Sequence, residues 1–183
     1  MANSNQFQLS EAIAVLARTP ATLSAMLRDL PDSWIGSNEG KDTWSALDIV
    51  GHLIVGECAD WMPRVRIILE KGETRAFDPF DRFAQMQQKD KPLGQLLDEF
   101  ASLRGNNLAE LESLNLQKDD LIRRGKHPVL GSVTLSELLA TWAVHDLTHL
   151  HQLSRVMAHR YREAVGPWRA YLGVLKCDGH SAH

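Results

Sequence analysis

The chain has 183 residues, of which 44% are hydrophobic and 23% are charged, and its formal net charge is −3. These values are typical of one globular domain and give no indication of the basic face that nucleic-acid-binding proteins carry. No apolar run approaches the length of a membrane-spanning helix, and the N-terminus lacks the features of a signal peptide, so we expect a cytoplasmic protein. Two distant cysteines, Cys58 and Cys177, fit such a reducing compartment.

The first element in the chain is a long amphipathic segment. Its apolar residues recur with a helical period and predict a helix over about residues 8–30. Thr19 can cap a second segment, and Pro20 suits the first position of a helix. We therefore expect this helix to be bent or broken near Thr19, and a loop rich in Gly, Ser, Asp and Asn to follow over residues 31–43.

The second helix begins at a capping box. Ser45-x-x-Asp48 resembles this motif, with Asp in place of Glu, and apolar residues continue to about Lys71. Gly72 is a plausible C-terminal stop. Pro63 lies inside this segment and predicts a local kink, because its nitrogen cannot donate to a helix carbonyl.

The middle of the chain alternates long connections with one helix. Residues 72–92 form a connection with a short helix expected at about 81–87, and a third long helix follows at about 92–114. The glycines and proline of residues 124–133 indicate a loop or a small hairpin.

The last long helix starts at a clear capping box, Thr134-x-x-Glu137, and continues to about Arg160. Aromatic and aliphatic residues near Trp168 and Tyr171 predict a short terminal helix that packs back on the body.

Four long helical segments without a convincing strand predict an all-α fold. We expect a four-helix bundle with long connections and a short C-terminal helix, as one domain over residues 1–183. The polar ends, residues 1–6 and 178–183, are expected to be loose.

Three histidines on two of these helices are candidate metal ligands. His145 and His149 are four residues apart, so they project from one face of the last helix. His52 lies in the most apolar stretch of the second helix, where a buried imidazole needs partners for both ring nitrogens. Asp48 and Gln152 stand one turn from these histidines and could accept hydrogen bonds from them. A histidine on an apolar helix face is also often a hydrogen-bonded core residue without a metal.

Three imidazoles from two helices would leave coordination positions open, as in catalytic rather than structural sites. Zinc, nickel, iron or manganese could all bind there, and imidazole ligation alone does not choose between them. We expect zinc or nickel, with iron or manganese as alternatives. Gly56, four residues after His52, leaves room for a substrate, although close helix packing explains it equally well. Glu57 and Arg64 could contact a substrate or could be solvated surface residues. The His145-Asp146-x-x-His149 pattern is also similar to the zinc-protease motif H-E-x-x-H, but no suitable third ligand follows it.

Motifs along nearly the whole chain resemble the DinB-like (DinB/YfiT) superfamily of metal-binding four-helix bundles. The motifs that carry this resemblance occur in the family's order: Trp44-Ser45-x-x-Asp48-x-x-x-His52-Leu53, Trp61-x-x-Arg64, Gly131-x-Val133-Thr134-Leu135-x-Glu137, and His145-x3-His149-x2-Gln152. Leu150-His151 stands where the family often has a His-Arg pair.

The resemblance implies a metal site at His52, His145 and His149, a small-molecule substrate and a homodimer. It also implies one of two chemistries, transfer of a low-molecular-weight thiol or metal-dependent hydrolysis. The alternative hypothesis is a non-catalytic bundle, in which a metal stabilises the fold or the chain serves as an interaction protein. That alternative predicts a closed site without an adjoining cavity.

Overall fold

The computed structural model of the chain describes residues 7–85 and 91–177. The ends expected to be loose, and the last two residues of the short helix expected at 81–87, lie outside the described residues. The α-helices of the described part are α1 Leu9–Leu16, α2 Thr19–Leu27, α3 Asp32–Ile35, α4 Ala46–Ala59, α5 Trp61–Lys71, α6 Leu93–Ser113, α7 Lys118–Leu121 and α8 Leu135–His159. No helix among these combines the length and the apolar character that crossing a membrane requires.

Four long helical units form the bundle, and two of them are broken. The units are α1 with α2, α4 with α5, α6, and α8; α4 packs on α6 and α8, α1 packs on α8, and α2 packs on α6. The predicted all-α four-helix bundle is therefore confirmed. A small antiparallel hairpin of β1 Arg124–His127 and β2 Gly131–Thr134 joins α7 to α8.

The break in the first unit occurs where the sequence predicted it, but Thr19 does not cap the second segment. The N-cap of α2 is Arg18, without a side-chain hydrogen bond. The Thr19 hydroxyl instead donates to the buried Asp146 carboxylate, at 2.5 Å between the two oxygens. The predicted cap is wrong because a distant charged group binds this hydroxyl.

The second unit begins at the predicted capping box, but its helix is broken where only a kink was predicted. Ser45 and Asp48 form both hydrogen bonds of the capping box. The helix breaks at Asp60, which has φ −111° and ψ −68°. Pro63 explains this break, because it has no N–H for the carbonyl of residue 59. Gly72, at φ 56°, ends α5 in a conformation that favours glycine.

The later elements fit their predicted bounds within a few residues. Helix α6 and the Thr134–Glu137 capping box of α8 form as expected, and residues 124–133 adopt the hairpin alternative. Gly125 is required there, because a Cβ atom at this position would lie 2.6 Å from Ile68 of α5.

The C-terminal segment differs from the prediction. It forms 3-10 turns, Gly166–Tyr171 and Gly173–Leu175, in place of an α-helix. Trp168 and Tyr171 are exposed, by 72% and 84%, so these two aromatic rings do not pack back on the body, whereas the turn Gly173–Leu175 does pack on α8. The predicted loop over residues 31–43 also contains a short helix, α3.

The core consists of two apolar clusters with a polar layer between them. One cluster includes Leu23, Leu27, Ile49, Leu53, Ile54, Phe100, Leu153 and Val156. The other includes Leu16, Trp61, Met62, Ile68, Leu108, Leu111, Leu139 and Trp142. Each of the four units contributes to this layer one buried polar residue, which lies along the chain between residues of the two clusters: Thr19, Glu57, Arg104 and Asp146. The candidate histidines of α4 and α8 lie close to this level of the bundle.

Candidate metal centre

The three candidate histidines converge on one point between α4 and α8. The Nε2 atoms of His52 and His145 lie 3.3 Å apart, and those of His145 and His149 lie 3.1 Å apart. One potential ligand atom from each of the three residues lies within 4.8 Å of the others. Tertiary packing therefore brings together the three residues that the sequence singled out.

These separations match the geometry of ligands to one metal ion. Two nitrogens bound at about 2.0–2.1 Å, at angles between about 90° and 109°, lie about 2.9–3.4 Å apart. The Nε2 distances of 3.1 and 3.3 Å fall in this interval. Three neutral imidazoles cannot satisfy three converging nitrogens by hydrogen bonds among themselves alone, whereas a cation accepts all three lone pairs.

The surroundings keep the three imidazoles neutral, which is the form that binds a metal. Burial, with smaller contributions from neighbouring His149 and Arg82, lowers the pKa of His52 to about 3. Burial likewise lowers the pKa of His145 to about 2, with His149, His52 and Arg104 contributing. The pKa of His149 is lowered by burial as well, although the hydrogen bond that His149 donates to Gln152 and the charge of Asp146 act to raise it.

Gln152 holds the ring of His149 in one orientation. The Nδ1–H of His149 donates to Oε1 of Gln152 at 2.8 Å. With its proton on Nδ1, His149 presents the lone pair of Nε2 to the point of convergence. This is the arrangement in which a second residue orients a metal-binding imidazole.

Asp48 fills the capping role that the sequence predicted for it, and its contacts are with Ser45. Its carboxylate accepts hydrogen bonds from the backbone N–H and the hydroxyl of Ser45, at 2.9 and 2.7 Å. Nδ1 of His52 and Nδ1 of His145 are buried and have no hydrogen-bond partner among the described residues. The Asp48 carboxylate caps α4, and in the described part of the chain it does not form the hydrogen bond to His52 that we predicted.

An open cavity of about 450 Å³ adjoins the three histidines. Its walls come from α4, α5, α8, the hairpin and the segment after α5. Aromatic rings form much of the wall beside the ligands: Trp44 is 4.7 Å from His52 between ring centroids, and Trp61 is 5.0 Å from His145. Phe80 contacts His52 edge-on at 5.5 Å. The candidate ligands are thus shielded on several sides and open towards one cavity.

Two of the three predicted substrate-contacting residues do not line this cavity. Arg64 does line it and forms an ion pair with Asp60 at 2.7 Å. Glu57 points into the polar layer of the core, where Arg104 donates to it at 2.8 Å. A Cβ atom on Gly56 would lie 3.2 Å from Nε1 of Trp61, so this glycine leaves room for the indole that contacts His145. This contact favours the packing explanation of Gly56.

The buried polar layer positions α8 and excludes the protease-like role of Asp146. The guanidinium of Arg104 donates to both carboxylate oxygens of Asp146, at 2.6 and 3.0 Å, and to the carbonyl of Leu16 at 2.8 Å. No helix N–H occupies that carbonyl, because α1 ends at Leu16. Asp146 is fully buried, so it cannot reach a reacting group in the cavity.

Sequence reasoning missed Arg104 and His127. Arg104 interrupts the apolar stripe of α6 between Phe100 and Leu108, and this interruption was a detectable signal. His127 belongs to the segment predicted as a loop or a small hairpin, yet it lines the cavity. No local pattern indicates that a hairpin 18 residues before His145 folds over the site.

Comparisons with known proteins agree with this architecture. The family model described as the DinB superfamily matches residues 16–153. Among solved structures, the chain is similar to YfiT from Bacillus subtilis, with 23% identity and a TM-score of 0.72 over 82% of this chain and 86% of that chain. YfiT is described as a probable metal-dependent hydrolase with an unusual four-helix bundle topology. No curated protein matches the sequence.

Proposed function

This chain belongs to the DinB superfamily, and on that premise we propose that it is a metal-dependent enzyme acting on a small molecule. The observation that carries the proposal is the convergence of the three Nε2 atoms beside an open cavity of about 450 Å³. A cavity of this volume is typical of small-molecule sites.

His52, His145 and His149 would hold a divalent metal through Nε2. Imidazole ligands suit zinc and nickel, and also iron and manganese. Bound there, the metal would polarise a substrate oxygen or lower the pKa of water or a thiol, which supplies a nucleophile near neutral pH. Gln152 orients His149 by the hydrogen bond described above.

The walls of the cavity bind the substrate and limit the access of water. Trp44, Trp61 and Phe80 pack around the histidine rings, and Phe77 extends the apolar wall away from them. Arg64, which is paired with Asp60, and the other polar lining residues Arg82, Glu137, Thr141 and Thr148 add polar groups to a wall that is mostly apolar by area. These features favour a small substrate with an apolar body.

Hydrolysis is the first candidate reaction, and the description of YfiT supports it. Transfer of a low-molecular-weight thiol is the second. The cavity lining in the described part of the chain includes no cysteine or serine, and the hydroxyls of its two threonines, Thr141 and Thr148, donate to backbone carbonyls of α8. The nucleophile would therefore come from solution, as water or as a thiol.

Metal analysis of protein purified without an affinity-tag histidine tract tests the proposal. We expect about one metal ion per chain, and loss of that metal when all three histidines are replaced by alanine. Substoichiometric metal that the triple replacement leaves unchanged would contradict it. A generic electrophile screened with cellular thiols, beside a panel of esters and amides, distinguishes thiol transfer from hydrolysis.

The non-catalytic alternative gains little support from this architecture, because it predicted a closed site. Inactivity of metal-loaded protein across both screens, together with a higher unfolding temperature on metal binding, would favour that alternative over the enzyme.

We also propose a homodimer in the cytoplasm. Val144 and Leu147 are apolar and exposed on α8, by 60% and 53%, which supports a contact surface there. Both cysteines are free, which fits a reducing compartment. Light scattering of wild type and Val144→Glu tests the dimer: we expect the variant to be monomeric.

A further inference from the structure

His127 lies at the end of β1 and lines the cavity, although it is not one of the candidate ligands. Its Nδ1 atom accepts hydrogen bonds from the backbone N–H groups of Val129 and Leu130, both at 3.1 Å. These two bonds close the turn of the hairpin. They also determine which ring nitrogen carries the proton.

A neutral imidazole whose Nδ1 accepts two N–H groups must carry its proton on Nε2. Protonation of Nδ1 would break both bonds of the turn, and burial, together with the charge of Arg64, lowers the pKa of His127. Nε2 has no hydrogen-bond partner among the described residues. His127 is therefore a neutral donor in one tautomer, with a free N–H on the edge of the ring away from its turn.

The wall around His127 carries little net charge. Arg64 is already paired with Asp60 at 2.7 Å and stacks over Phe77, which also contacts the His127 ring edge-on. Asp60 also lines the cavity, so a substrate carboxylate bound to Arg64 would be repelled by the carboxylate that Arg64 already binds. The remaining lining includes the apolar residues Leu130, Val133 and Leu138 and one further pair of opposite charges, Arg82 and Glu137. A neutral donor in such surroundings is suited to an uncharged acceptor.

We propose that His127 is a specificity-determining residue that donates its Nε2–H to an uncharged acceptor oxygen of the substrate, such as the carbonyl oxygen of an ester, an amide or a ketone. The inference rests on the proposed function, because it takes this cavity as the substrate site. It narrows the substrate class to molecules with an apolar body and a carbonyl-like oxygen.

Two substitutions separate the two roles of His127, which are the acceptor that closes the turn and the donor to the substrate. In His127→Asn, the amide oxygen takes the place of Nδ1, so the turn keeps its acceptor while the cavity loses its donor. In His127→Gln, the longer amide places an N–H near the position of Nε2 and keeps the donor. An unfolding temperature of His127→Asn close to that of wild type shows that the turn has been retained.

Acetophenone and ethylbenzene are matched probes, because they differ chiefly in one carbonyl oxygen. Their affinities are measured by NMR titration of the full-length protein, with its metal and after chelation. We expect acetophenone to bind wild type and His127→Gln equally well, and His127→Asn about three- to tenfold more weakly. Ethylbenzene should bind all three proteins alike.

Equal binding of acetophenone to wild type and His127→Asn, or no binding to wild type, overturns the inference. Benzoate is the charged probe: tighter binding of benzoate than of acetophenone, lost in His127→Asn, overturns the assignment to an uncharged acceptor. These titrations need no turnover, so the outcomes for the two proposals are separable. If the protein has neither metal nor activity but binds the probes as expected, only the proposed enzyme is contradicted. If the protein is an active enzyme and His127→Asn binds acetophenone as tightly as wild type does, only this inference is contradicted.

Discussion

Arg104 and Asp146 form a bidentate ion pair in the centre of the bundle, with Nη1–Oδ2 at 2.6 Å and Nη2–Oδ1 at 3.0 Å. Both side chains are almost completely buried. Asp146 directly follows His145 and stands three residues before His149. The pair therefore sets the rotation of α8 about its axis, and with it the direction in which the two candidate ligands point.

Replacement of Arg104 by methionine is expected to destabilise the fold by about 3–5 kcal/mol, because it leaves the carboxylates of Asp146 and Glu57 buried without a cationic partner. Urea denaturation measures the effect. Arg66→Met is the control, since the pair between Arg66 and Glu110 lies at the surface and should contribute less than about 1 kcal/mol. An equal loss of unfolding free energy in the two variants would show that the buried pair contributes no more to stability than the surface pair.

Gln152→Ala is expected to weaken metal binding about 10- to 100-fold, because Gln152 fixes the tautomer and orientation of His149. Competition with a chromophoric chelator measures the affinity. His151→Ala, at an exposed position one residue earlier, should bind metal like wild type. If both variants bind metal equally well, the orienting role of Gln152 is wrong.

Gly56→Ala is expected to destabilise the protein by about 1–3 kcal/mol, because the added methyl group would lie 3.2 Å from Nε1 of Trp61 and crowd a buried ring. Thermal unfolding measures this change. Gly105→Ala is the matched control within α6, where no atom lies within 4 Å of the added methyl group. This control should gain up to about 1 kcal/mol from helix propensity. A neutral Gly56→Ala would mean that Trp61 moves freely.

The metal-free protein is expected to lose stability as pH falls from about 6.5, the ordinary histidine pKa, towards 3. The folded-state pKa values of His52 and His145 are lowered to about 3 and about 2, so in this interval the unfolded chain binds protons that the folded chain does not. Stability therefore rises with pH, by at most about 1.4 kcal/mol per pH unit for each histidine.

Urea denaturation between pH 4 and 7 measures this slope. The double variant His52→Gln/His145→Gln, which removes two of the three candidate ligands, whose pKa values are all lowered, should show a flatter dependence over the same interval. An equal slope in wild type and double variant would assign the acid sensitivity to other groups.

Local signals were enough to predict most of the helices. The capping boxes at Ser45 and Thr134, the break near Thr19 and the stop at Gly72 depend on interactions within a few residues, and the structure contains each of them. The terminal segment was predicted less well, because Trp168 and Tyr171 have a helical spacing but are exposed, and only the following turn, Gly173–Leu175, packs on α8.

The sequence by itself determined that the chain forms a helical bundle and which three histidines could share a metal, because helical periodicity and a histidine in an apolar stretch are local properties. Only the tertiary structure decided what the other polar residues do. Thr19 binds Asp146, 127 positions away, and His127 reaches the cavity through the fold of a hairpin. Such partners depend on how the helices pack and on which buried charge needs compensation, and neither is encoded in the spacing of neighbouring residues.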